Sequence, residues 1–152
     1  MKILVVDDNA KHRAAAQEQL GEHELAVFDN YTEALDALKE GCGYDVVLSD
    51  LLMPAEARTL GSDGLKFLGH EISAGFAVLF RAAKVGVPRV AVITDMNHHC
   101  HPMSAIIDSI CPAYWRGEPD VFTVNNTRVL VAHAPMTAQG AKDWAQVLTS
   151  LL

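Results

Sequence analysis

Two short apolar runs, each ending on aspartate, constrain this chain more than any other feature. Lys2-Ile3-Leu4-Val5-Val6 runs into Asp7-Asp8-Asn9, and Asp45-Val46-Val47-Leu48-Ser49 runs into Asp50. A β-branched run without polar alternation is a strand buried on both faces, and such strands belong to parallel sheets covered by helices. Acids placed directly after them lie at the carboxyl edge of the sheet, where doubly wound proteins build their sites.

The rest of the chain alternates strand and helix. Asn9 is an N-cap for a helix over 10–20, stopped at Gly21. A short strand follows over 25–28. Asn30, with Glu33 three residues on, reads as a capping box for a helix over 31–40 that ends at Gly41. Leu65, Leu68, Ile72, Phe76, Leu79 and Ala83 recur at helical spacing and predict one face over 65–83, which Gly69 and Gly75 can split into two shorter helices. A fourth strand spans 89–93 and ends on Thr94. A short helix over 104–110 leads to a long loop over 111–126, with Asn125-Asn126 leaving room for a small hairpin. A fifth strand over 129–132 and an amphipathic helix over 137–151 close the chain. The fold class is therefore α/β, a doubly wound five-stranded parallel sheet with helices on both faces. The 152 residues fit a single domain, 1–152.

Composition excludes several classes. Twelve Lys+Arg against nineteen Asp+Glu give a net charge of −7, which argues against direct nucleic-acid binding through phosphates. No apolar run approaches the ~20 residues that cross a bilayer, so no membrane partner is expected. Cys42, Cys100 and Cys111 lack CxxC spacing and are expected to be reduced thiols of a cytoplasmic protein.

The topology gathers Asp7 and Asp8 after the first strand, Asp50 after the third, Thr94 and Asp95 after the fourth, and His133 after the fifth. Carboxylates held together repel, and a hard divalent cation relieves the repulsion; an all-oxygen donor set suits Mg2+. A metal beside a free carboxylate can neutralise an incoming phosphoryl group and leave the carboxylate to act as nucleophile. The Thr94 hydroxyl can then bond a phosphoryl oxygen. Taken singly, each of these residues has a plainer reading as a helix-end acid, a turn residue or a β-prone strand end. Their joint placement on three strand ends is what favours chemistry.

The segments 2–9 and 45–54 (the latter ending Asp50-Leu51-Leu52-Met53-Pro54), set 42 positions apart from Asp8 to Asp50, resemble the receiver domains of two-component response regulators. Residues 90–94 and the Ala134-Pro135 pair agree more weakly. The resemblance implies a flavodoxin-like fold and Mg2+-dependent phosphorylation of Asp50. The phosphodonor would be a histidine kinase, a phosphotransfer protein or a small molecule. Asp8 would be a direct Mg2+ ligand, and Asp7 an acid acting chiefly through water. Asp50 and the Leu52 backbone carbonyl would complete the protein's ligands, and Thr94 would be the switch hydroxyl. A stand-alone receiver would work in a phosphorelay by binding an effector protein, forming a homodimer or passing the group on. Its enzymatic activity would be at most autophosphorylation and self-dephosphorylation.

The chain departs from that pattern. The family places a lysine immediately before the proline after the fifth strand, and Ala134 stands there. Val131 stands where a switch aromatic is usual. The segments between Asp50 and Thr94 and between Thr94 and Pro135 are longer than usual. A missing cation would leave phosphoryl charge less compensated, which raises the alternative of a phosphorylation-independent pseudo-receiver; His133 and Arg128 are the nearby substitutes. A further alternative is transition-metal binding through His98, His99, Cys100 and His101, with help from Asp95, Cys111 or His133. His98 and His99 can also be read as groups that contact the phosphoryl or tune a carboxylate.

Overall fold

The computed structural model describes residues 1–111 and 120–152. The central sheet has six strands in the order β2-β1-β3-β6-β8-β7. β1 (Lys2–Val6), β3 (Val46–Asp50) and β6 (Arg89–Thr94) are buried almost throughout, as their unbroken apolar sequences require, and β2 (Glu24–Phe28) is the half-exposed edge. These strands and β8 (Thr127–His133) pair in parallel. The sixth strand, β7 (Val121–Val124), was not among the five expected. It joins β8 as an antiparallel hairpin through Asn125 and Asn126, both with positive φ (49° and 67°), the backbone that a two-residue hairpin turn demands. Most of the loop expected before it, 112–119, lies outside the described residues.

Side-chain alternation along the strands builds two cores. Leu4, Val6, Val47, Val90, Val92, Val129 and Val131 face α2 (Tyr31–Ala37), α3 (Ala74–Lys84) and α4 (Pro102–Ile107). Ile3, Val5, Val46, Leu48, Ala91, Ile93, Leu130 and Ala132 face α1 (Ala10–Gln19) and α5 (Trp144–Leu151). The caps expected at Asn9 and Asn30 are made: each side chain accepts a backbone N–H of its helix, from Lys11 and Glu33.

Two expected helices come out differently. Residues 65–72 do not form an α-helix: Ser62–Phe67 is a 3-10 helix, and Glu71–Ile72 is a short strand (β5) antiparallel to Met53–Pro54 (β4). Gly69, at φ +76°, breaks the periodic pattern, and Leu65, Leu68 and Ile72 stand exposed. The apolar face is real only from Ala74 onward. The closing helix begins at Trp144, not at 137. Residues 136–142 instead form a tight turn, in which Met136 bridges Lys142, Thr137 Oγ1 accepts Ala141 N–H and Gly140 sits at φ +72°.

Candidate functional site

The chain moves from β1 outward to β2 and returns to β3 on the other side, so the sheet's direction reverses between β1 and β3. A crevice opens at the carboxyl ends of such strands. Asp7 follows β1 and is fully buried; Asp8 beside it is exposed; Asp50 ends β3, 5% exposed. One carboxylate oxygen from each lies within 4.8 Å of the others, the only such group of potential metal ligands among the described residues. Thr94 ends β6, buried, its hydroxyl accepting the Met96 N–H at 3.1 Å. Asp8, Asp50, Leu52, Thr94 and Asp95 line one cavity of about 120 Å³. The strand ends therefore bring together the carboxylates, the hydroxyl and Leu52 expected from sequence.

The cation expected to be missing is present. Ala134 does stand before Pro135, but Lys142, fully buried, extends its ammonium into the site. Nζ lies 2.6 Å from Asp7 Oδ2, 2.8 Å from Asp50 Oδ1 and 3.2 Å from Asp95 Oδ1. The turn over 136–142 carries it there, and α1 holds it in place. The Lys142 N–H donates to His12 Nδ1, its carbonyl accepts from Gln19 Nε2, and Trp144 Nε1 donates to the His12 carbonyl. His133 and Arg128 do not serve as the substitute: His133 bonds Asp108 Oδ1 at 2.8 Å, and Arg128 sits at the opposite end of β8. The signal for Lys142 was in the sequence. Asp143, with Gln146 three residues on, is a helix-start pattern, and Asp143 indeed accepts the Gln146 N–H. Read that way, Lys142 precedes the helix and is free to point into the site.

Two further groups were not foreseen. Glu71, on β5, adds an acid to the lining of the cavity. His12, from α1, is buried; its Nδ1 accepts from Lys142, so Nε2–H donates to Asp95 Oδ2 at 3.1 Å.

The electrostatics follow from burial with an excess of anions. Three carboxylates surround one ammonium, so Lys142 stays charged: burial works against the charge, but Asp50, Asp7 and Asp95 outweigh it and raise its pKa. Burial pushes the Asp50 carboxyl up to about 7, opposed by Lys142 and reinforced by Asp7 and Asp95. Asp8 is also raised, by burial and then by Asp7. Burial acts to raise Asp95 too, but Lys142 and the His12 hydrogen bond prevail and lower it. Asp50 Oδ1 accepts the Leu51 N–H and the Lys142 ammonium, whereas Oδ2 bonds nothing among the described residues. No buried polar atom among them lacks a partner, so Oδ2 is open to solvent.

The acidic group fits a hard divalent cation. Its donors are all oxygens, one from each of Asp7, Asp8 and Asp50, gathered within 4.8 Å of one another, the donor chemistry that Mg2+ takes. Among the described residues the histidine loop gathers no comparable set. His101 caps α4 by accepting the Met103 N–H, His98 Nδ1 bonds Asp108 Oδ2 at 2.5 Å, and the His99 ring lies against His98.

No family model matches the chain, and no curated protein is similar to it. No helix among the described residues is long and apolar enough to cross a membrane. Among solved structures, the chain is similar to the isolated REC domain of RcsB from Salmonella enterica serovar Typhimurium, determined in the presence of phosphomimetic BeF3-. The identity is 20% over 71% of this chain and 70% of that one, with a TM-score of 0.42.

Proposed function

We propose that this protein is a phosphorylation-dependent signalling switch of the receiver type, with Asp50 as phosphoacceptor. The observation that carries the reading is the state of Asp50: one oxygen is held by a buried ammonium, and the other opens to a cavity lined by acids. Asp50 Oδ2 attacks the phosphorus of an acyl phosphate. The new O–P bond forms as the bond from phosphorus to the donor's carboxylate oxygen breaks, and that oxygen leaves with the electron pair. Lys142 fixes Oδ1 and lies beside the charge that develops on the phosphoryl oxygens. Asp7, Asp8, Asp50 and the Leu52 carbonyl are the groups that would hold Mg2+, which supplies further positive charge to the phosphoryl group when bound. Thr94, released from the Met96 N–H, supplies the hydroxyl that reports phosphorylation to the β6–α4 loop. A histidine kinase or phosphotransfer protein as donor, an effector protein as receiver of the signal, and a cytoplasmic setting belong to the same reading.

Lys142 removes the main reason for preferring a pseudo-receiver, which was a missing cation. The test is intact-mass analysis after incubation with acetyl phosphate and Mg2+. A single phosphoryl adduct is expected on the wild type and none on Asp50→Ala. A folded wild type that takes up no phosphoryl from acetyl phosphate or from any histidine phosphodonor would sink the reading.

A further inference from the structure

The Lys142 ammonium lies within ion-pair distance of three carboxylates, Asp7, Asp50 and Asp95, and donates a hydrogen bond to Asp7. A phosphoryl oxygen arriving on Asp50 can reach this cation only if one carboxylate gives way. Asp50 carries the phosphoryl itself. Asp7 is fully buried, and its other oxygen is bonded to the Asn9 N–H. Asp95 makes the longest of the three contacts, at 3.2 Å, and its side chain is 36% exposed. It also has a second partner, the Nε2–H of His12, on its other oxygen.

Resting on the phosphoacceptor reading, we infer that Asp95 is a built-in anionic competitor: it occupies Lys142 in the unphosphorylated protein and is displaced by the phosphoryl group on Asp50. The phosphoryl group and Asp95 compete for the one ammonium, and the mutual repulsion of the two anions drives the weaker-held carboxylate outward. His12 is the partner that remains to it. Asp95 follows Thr94 in the chain, so its departure shifts the backbone that carries the Thr94 hydroxyl and the Met96 N–H bonded to it. The acid beside Thr94, which on charge alone opposes an incoming phosphoryl, thereby links phosphorylation to movement of the β6–α4 loop. It also sets how tightly the phosphorylated state is held.

The test uses the whole chain with Mg2+ and beryllofluoride, with bound fluoride followed by 19F NMR. Asp95→Asn keeps the shape and the contact with His12 but removes the charge. It is expected to bind beryllofluoride up to about fivefold more tightly than the wild type, the scale of one partly exposed charge pair. Asp95→Glu, which keeps the charge, is expected to bind as the wild type does. A site that merely lost a structural contact would bind the probe more weakly, so unchanged or weaker binding by Asp95→Asn would overturn the inference while leaving the phosphoacceptor reading intact. Binding to neither the wild type nor any Asp95 variant, with all of them folded, would overturn both.

Discussion

The carboxyl edge of the sheet carries two charged clusters. In one, the Lys142 ammonium lies between Asp7 and Asp50, all three sealed from solvent or nearly so, with Asp95 at the rim. In the other, Asp108 at the end of α4 takes His98 on one oxygen and His133 on the other, with a third of its side chain exposed. Both tie separate elements together through carboxylates. The difference is the surrounding medium. Sealed charges interact strongly, and each depends on the others being present; partly wet charges are screened, and water replaces a lost partner. The buried cluster can therefore store a response to a new charge, whereas the rim cluster mainly fixes the resting position of α4 against β8.

Breaking the buried cluster has the largest expected effect. Lys142→Met leaves Asp7 and Asp50 buried without a counter-ion, and removing one partner of a buried pair typically costs about 3–5 kcal/mol. Urea unfolding at pH 8 is expected to show a loss of that order, and phosphoryl uptake from acetyl phosphate should fall below detection. Uptake at the wild-type rate would separate Lys142 from the chemistry and leave it a structural cation.

Gly75→Ala attacks the same cluster from the backbone side. A Cβ at position 75 would stand 2.3 Å from the Asp50 carbonyl oxygen and 2.8 Å from Leu51 Cα, so α3 or the end of β3 must shift. Overpacking of this kind costs roughly 1–3 kcal/mol. The Asp50 carboxyl should move with it, so phosphoryl uptake is expected to slow along with the stability loss. Gly61→Ala, where nothing lies within 4 Å, is the matched control and should leave both unchanged.

Titration gives a third, smaller effect. Asp50, with its carboxyl pushed up to about 7, is mostly protonated at pH 6 and mostly ionised at pH 8. A cation must displace that proton, so Mg2+ affinity is expected to rise about tenfold from pH 6 to pH 8. Asp50→Asn should flatten that rise. The effect on folding has the opposite sense. A carboxyl whose folded pKa is raised stabilises the fold below its ordinary value near 4 and loses that contribution as pH rises towards about 7. The metal-free protein should therefore lose stability over the range in which it gains Mg2+ affinity. Calorimetric Mg2+ titrations and urea unfolding at both pH values check the two signs.

The two clusters also differ in how far the sequence reveals them. Asp7, Asp8, Asp50 and Thr94 sit at the ends of continuous apolar runs, so the strand pattern alone puts them on one edge. Lys142 reaches the same place from a turn whose residues, 137–142, lie in phase with the helix that follows, and helical period masked the turn. The same masking affected 65–72, where Leu65, Leu68 and Ile72 keep helical spacing in a segment that Gly69 breaks. Periodicity marks which residues share a face only once the backbone is known to be helical; glycine positions and capping patterns carry the missing information. The pairing of Asp95 with His12 was out of reach for a different reason. Their pairing spans 83 positions and depends on how α1 packs beside the end of β6, which no local pattern encodes.

The rim cluster yields the smallest expected effect and the sharpest contrast. Asp108→Asn keeps the size of the side chain and removes its charge, so His98 Nδ1 and His133 Nε2 lose a charged partner. A partly exposed contact to a carboxylate contributes about 1 kcal/mol or less, and a loss within that range is expected by urea unfolding. Phosphoryl uptake should stay at the wild-type rate, because neither histidine touches Lys142 or Asp50. Should Asp108→Asn instead change beryllofluoride affinity as strongly as an Asp95 variant, the two clusters would be energetically one. The route between them is short: His133 pairs with Thr94 across β6 and β8, and the Ala134 N–H donates to the Thr94 carbonyl. A double-mutant cycle between Asp95 and Asp108 measures that coupling directly, and a value near zero is expected if the buried cluster alone answers to the phosphoryl charge.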